Sequence, residues 1–182
     1  MFDNIREDVA HLAHLYYGKS TFKHRLRAMT EEPFFPVLLF RAADWFYHHH
    51  FSPLGYFFRM LNQILFGIVI GPKANIGPGL IISHANGVVI NRQATIGHHL
   101  IVQHQVTIGQ SNLGIPTIGN YVYCGCGSKI LGKITVGDNV KIGANAVVIK
   151  DVPPLCTVAG IPAKIIRRHD APEEAEQQQT RE

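Results

Sequence analysis

Histidines 84 and 104, twenty residues apart, are of a type that suits proton transfer. An imidazole with its ordinary pKa of about 6.5 can take a proton from a hydroxyl as that hydroxyl attacks, and such base catalysis contributes on the order of 10²–10⁴-fold. Three other groupings invite a chemical reading and yield a plainer one. Cys124-Gly125-Cys126 could bind a metal, but no second Cys/His pair with zinc spacing accompanies it, so two small packing residues are expected. In His48-His49-His50 consecutive helical positions point about 100° apart, so three in a row do not converge on one ion and a helix–loop junction is expected. His98 and His99 fall on a different side of the architecture derived below and are expected to face solvent or a neighbouring subunit.

The elements that would position these groups repeat. From Ile70 an aliphatic position returns every six residues: 70, 76 and 82, then 90, 96, 102 and 108, then 118, 124, 130, 136, 142 and 148. The next residue is glycine at 71, 77, 97, 109, 119, 125, 137 and 143, which predicts corners whose backbone a Cβ would strain. A period of six fits neither a strand nor a helix and predicts a three-sided β-solenoid, about five coils of eighteen residues. The beat slips by two residues at "LIISHANGVVIN", where His84 sits, and by four more between Gln110 and Thr117. With the slips included, Ile82 stacks under Val102, Cys124 and Ile142. The second residue after each forms one column: His84, His104, Cys126 and Ala144, successive coils about 4.8 Å apart.

Residues 1–66 lack the beat and have helical spacing at Ile5, Val9, Leu12 and Tyr16, and at Phe40, Ala43, Phe46 and Tyr47, punctuated by Pro33, Pro36 and Pro53. Three regions follow: a helical region 1–66, a solenoid 67–166 and a polar tail 167–182. The chain is mainly β. Its net charge of +4 becomes +7 without the acidic stretch Pro172–Glu182, a balance that suits an anionic ligand. The cations are scattered, without the basic run and interleaved aromatics of a nucleic-acid surface. Three cysteines are too few and too odd for a disulfide framework. No signal peptide or uninterrupted apolar span is present, so a cytoplasmic protein is expected.

The repeat, together with "SHANGVVIN", "QVTIG", "GSKILGKITVGDNVKIGANAVVIKDVPP" and "VAGIPAKII", resembles the left-handed parallel β-helix acyltransferases, in the serine acetyltransferase branch. Within that branch it looks closest to polysaccharide O-acetyltransferases of the colanic-acid type. The resemblance implies acetyl-CoA as co-substrate, no metal, and His84 as general base; His104, read from its place in the column alone, either assists His84, touches the acceptor or simply stacks. The resemblance also implies Cys126 and Ala144 along the CoA channel, Lys141 near the nucleotide end, and Ala159, Pro162 and Lys164 of the "AGIPAK" segment against CoA. A column of small residues suits a long pantetheine arm. Backbone N–H groups at Gly109 or Gly125 are candidate donors to the developing oxyanion. A homotrimer with sites at subunit clefts is further implied, a hexamer being the larger assembly.

Three departures bear on the acceptor. Serine acetyltransferases have an aspartate directly before the base, where this chain has Ser83, and another that orients the base, where it has Val69. They have Arg-His-Pro in the extended loop, where it has Gly114-Ile115-Pro116. A zwitterion deprived of such partners binds at a cost. The expected acceptor is therefore a hydroxyl of a sugar or glycoconjugate. Trp45, Tyr47, Phe57 and Phe58 could bind a glycan or dock at a membrane surface, but helix packing accounts for them first. Serine is the alternative acceptor. A zinc-binding or non-catalytic hexapeptide scaffold is the alternative of another class, kept open by eleven histidines.

Overall fold

The computed structural model describes residues 1–111 and 114–170; the polar tail lies outside the described residues from 171 onward. Four helices come first: α1 (Phe2–Tyr17), α2 (Phe22–Ala28), α3 (Phe34–His48) and α4 (Ser52–Phe66). Apolar residues at helical spacing build α1 and α3, and a left-handed glycine ends α1 (Gly18, φ 64°) and α4 (Gly67, φ 63°).

Short strands, numbered along the chain, then wind a left-handed three-sided β-helix. One side is β1 (Val69–Ile70), β4 (Val89–Ile90), β7 (Thr107–Gly109), β10 (Lys129–Leu131) and β13 (Val147–Val148). The second is β2 (Asn75–Ile76), β5 (Thr95–Ile96), β8 (Thr117–Ile118) and β11 (Thr135–Val136). The third is β3 (Ile81–Ile82), β6 (Ile101–Val102), β9 (Tyr123–Cys124), β12 (Lys141–Ile142) and β14 (Cys156–Ala159). There β15 (Lys164–Arg168) turns back antiparallel to β14 and closes that side. Four turns are complete, against about five expected, because the second side of the last turn shrinks to a single bridge, Val136 to Val152. The aliphatic beat fills the axis: Ile82, Ile90, Ile108, Ile118, Ile130 and Ile142 are fully buried.

The glycines have a different cause from the one their sequence position suggests. Left-handed backbone occurs two residues later, at Lys73, His99, Tyr121, Asn139 and Asn145. At 71, 77, 97, 119, 125 and 137 the glycine directly after the beat is required by space. At Gly125 a Cβ would stand 2.8 Å from the amide nitrogen of Ala144 and the carbonyl oxygen of Ile142 in the next coil. At those six positions coil stacking, not corner geometry, fixes the motif.

The helical region lies on the lower half of the third side. Val9, Leu12, Ala13, Ala28 and Phe34 pack against Ile81 and Ile101, the outward residues of β3 and β6. A buried ion pair pins it there. Arg41 donates through Nε and Nη2 to the Asp8 carboxylate at 2.8 and 3.0 Å, and through Nη1 and Nη2 to the Ile76 and Gly77 carbonyls. Asp8 also accepts the Leu80 N–H at 2.8 Å. Every one of these charges is hydrogen-bonded, the condition under which a buried pair is tolerated.

Candidate active site

The register confirms the vertical alignment: Ile82 pairs with Val102, Val102 with Cys124, Cys124 with Ile142, and Ile142 with Val158. His84, His104, Cys126 and Ala144 therefore follow one another up one edge, with Gly160 above them. The rings of His84 and His104 stand 6.3 Å apart, inclined at 68°.

The slip explains the posture of His84. Two extra residues lengthen this corner, and His84 takes left-handed backbone (φ 52°) one position earlier than the regular corners do. Its side chain is thrust outward and is 62% exposed. Non-glycine residues held in this region mark turns or functional sites. His104 sits in a regular corner, with its Nδ1 buried and without a hydrogen-bond partner among the described residues.

A carboxylate that the spacing did not disclose meets His84. Glu32, in the turn between α2 and α3, places Oε2 3.5 Å from His84 Nδ1, while its Oε1 accepts the Ala85 N–H at 3.0 Å. The neighbouring Glu31 accepts a short hydrogen bond from the Tyr17 hydroxyl at the end of α1, and that bond raises the tyrosine's pKa. The turn is thus tied to α1 on one side and to the histidine corner on the other. No local pattern announces Glu32, because the contact spans more than fifty residues.

The other expected residues divide. Cys126 is half-buried and Ala144 exposed on the column. Lys141 lies on β12 beside Tyr123 of the coil below. Ala159, Pro162 and Lys164 form the hairpin that caps the same side, with Ala159 paired to Lys164. Gly125 lies next to the column, but its N–H donates to the Ile142 carbonyl at 2.8 Å, so it is no free oxyanion donor; its part is to let the coils approach. Gly109 ends a strand of the first side, one corner away from the column.

Cys124 is fully buried, and burial pushes its thiol up to about 12, as befits a core residue. His48 and His49 direct Nδ1 at the Asp44 and Trp45 carbonyls one turn back, in the expected helix–loop junction. Trp45 stacks on His49, and Phe46 on Phe58 across α3 and α4. His99 departs from its expectation. It is mostly buried under α1, edge-on to His11 at 4.6 Å, stacked on Tyr121 at 4.7 Å, with Nε2 3.3 Å from Glu7. No group of three or more His, Cys, Asp or Glu among the described residues is arranged to hold a metal ion.

Residues 115–150 match the bacterial transferase hexapeptide (six repeats) family. The chain is 40% identical over 132 residues to the serine acetyltransferase of Synechococcus elongatus, an alignment covering 70% of this chain and 54% of that one. It is 41% identical over 136 residues to the serine acetyltransferase of Helicobacter pylori, covering 72% of this chain and 80% of that one. The crystal structure of serine acetyltransferase in complex with coenzyme A from Brucella abortus superposes with a TM-score of 0.80 at 31% identity, covering 92% of this chain and 68% of that one. The chain spans about half the length of the Synechococcus relative.

These relatives overturn the expected sugar acceptor, since curated relatives at 34–41% identity are serine acetyltransferases, and they lend no support to the likeness to colanic-acid enzymes. The physical ground for rejecting serine also weakens. It rested on missing carboxylates at positions 69 and 83 and on Gly114-Ile115-Pro116 in place of Arg-His-Pro, and for the carboxylates Glu32 brings one to the histidine from a different element. By sequence and by fold, the chain belongs to the serine acetyltransferase family of hexapeptide-repeat transferases.

Proposed function

We propose that the protein transfers the acetyl group of acetyl-CoA to the hydroxyl of serine, releasing O-acetylserine and CoA. The observation that carries this reading is the column itself, two stacked histidines followed by small residues, with a carboxylate at the Nδ1 of the lowest histidine. Glu32 favours the proton on Nδ1 of His84, which leaves the Nε2 lone pair for the serine hydroxyl. As the oxygen attacks the thioester carbon, its proton passes to Nε2. The tetrahedral intermediate then collapses, the C–S bond breaks, and the imidazolium returns the proton to the departing sulfur. His104, one coil above, contacts the acceptor or the thioester. The negative charge of Glu32 suits an acceptor that carries an ammonium group.

The pantetheine arm would lie along Cys126 and Ala144, where bulk is least, with the β14–β15 hairpin at Ala159, Pro162 and Lys164 above it. Lys141 and Lys164 offer cations to the nucleotide phosphates. A homotrimer fits two further features. His84 and Glu32 stay more than half exposed in the single protomer, and α4 presents Phe57, Ile64 and Leu65 to solvent. A second copy across the column would exclude water from the base. No helix among the described residues is long and apolar enough to cross a membrane, and the sparse cysteines agree with a cytoplasmic setting.

His84→Ala tests the reading. Thiol release from acetyl-CoA in the presence of serine should fall by on the order of 10²–10⁴-fold, with acetyl-CoA binding and oligomeric state unchanged. Comparable turnover by the variant, or turnover of the parent with sugars but not with serine, would remove the proposal.

A further inference from the structure

The short helix α2 belongs to none of the above, and its surface is unusual. At 100° per residue, Phe22, Leu26 and Met29 fall within an arc of about 60°. They are 84%, 59% and 41% exposed. The opposite side holds the helix to the protein: Ala28 is its one buried residue, and His24 stacks on Tyr17 at 5.5 Å. The apolar stripe therefore faces directly away from the body. Cations flank it, Lys23 on one side and Arg25 on the other, and the latter is fixed in place by donating from Nε to the Ser20 carbonyl and hydroxyl oxygens. Lys19 precedes the helix, and the Arg27 guanidinium lies over the Tyr17 ring at 4.9 Å. Residues 19–29 contain four Lys or Arg and no acid.

We propose that α2 docks the protein on an anionic lipid surface, lying flat with Phe22, Leu26 and Met29 at the acyl boundary and the flanking cations among the headgroups. A convex apolar ridge with cations on both flanks matches such an interface in both respects, apolar interior and anionic rim, without demanding a complementary shape. A second copy of the same face would bring like charges together on both flanks. An acidic protein groove would have to fit the ridge in shape as well as charge. This docking is independent of the acceptor and of the chemistry at His84.

The test is co-sedimentation of the full chain with vesicles at low ionic strength. The parent should bind vesicles containing phosphatidylglycerol, release with added salt, and ignore pure phosphatidylcholine. Lys23→Gln should weaken binding about fivefold, one charge near the surface being worth about 1 kcal/mol. Phe22→Ser combined with Leu26→Ser should weaken it by at least about tenfold. All three side chains are exposed, so circular dichroism and thiol release in solution should match the parent. No binding to anionic vesicles, equal binding to neutral ones, or parent-like binding by the double variant would overturn the proposal. So would a fall in the mass measured by light scattering on making the double variant, which would assign the stripe to contact between copies.

Discussion

Replacing Glu32 by glutamine probes whether the turn after α2 takes part in catalysis. The substitution keeps shape and retains an oxygen to accept the Ala85 N–H, so the corner around His84 should stand. What it removes is a negative charge 3.5 Å from Nδ1, felt most when His84 becomes an imidazolium during attack. Two full charges at that distance attract by about 1.2 kcal/mol in a water-like dielectric and by about 5 kcal/mol at an effective dielectric of 20. Both side chains are more than half exposed, which favours the lower figure. The expected loss is thus about tenfold in kcat, rising if a neighbouring subunit dries the site. Thiol release measured over ranges of serine and acetyl-CoA separates kcat from both KM values. Unchanged kcat with a raised KM for serine would refute a positioning role and make Glu32 a contact for the acceptor's ammonium. A glutamine variant equal to the parent in every constant would refute any role at all.

Other consequences follow from the packing. Arg41→Met leaves Asp8 buried without its partner; breaking such a pair costs about 3–5 kcal/mol, so the thermal midpoint should drop by roughly 10 °C in calorimetry. His11 is largely but not fully buried, and this desolvation lowers its pKa to about 4, its Nδ1 facing the Gly79 carbonyl and its ring edge-on to His99. The unfolded chain takes up this proton near pH 6.5 and the folded chain only near 4, so stability is complete above about 6.5 and declines as pH falls towards 4. Denaturant midpoints across that window should show a loss of about 3 kcal/mol from this group, and His11→Gln should flatten the slope. Ala144→Trp places a large ring in the proposed pantetheine groove, so the KM for acetyl-CoA should rise on the order of tenfold or more while the thermal midpoint holds.

The solenoid was legible because its constraint is local and repeated. One inward side chain per side gives a beat of six, and counting through the two slips is enough to stack His84, His104, Cys126 and Ala144. The same counting misassigned the glycines. Sequence shows where a Cβ is missing but not whether torsion or a neighbouring coil forbids it, and at Gly125 it is the neighbouring coil. It also missed Glu32, Asp8 and the edge-on His11–His99 contact, all of which join the helical region to the solenoid across long stretches of chain.

The error over the acceptor has the same root. Asking whether positions 69 and 83 are acidic treats a site as a set of fixed addresses. The chemistry requires only that negative charge stand near the base, and a longer side chain from another element meets that requirement. If so, docking of the helical region is itself part of the active site. Any change that loosens α1 from the corner at Leu80 should lower turnover through Glu31 and Glu32 before it unfolds the β-helix. Arg41→Met therefore offers a second reading beside its melting point: at temperatures where the variant is still folded, its kcat should fall towards that of Glu32→Gln, and adding the glutamine change to it should cost little more. Fully additive losses would show that the base and the docking of the helices are independent.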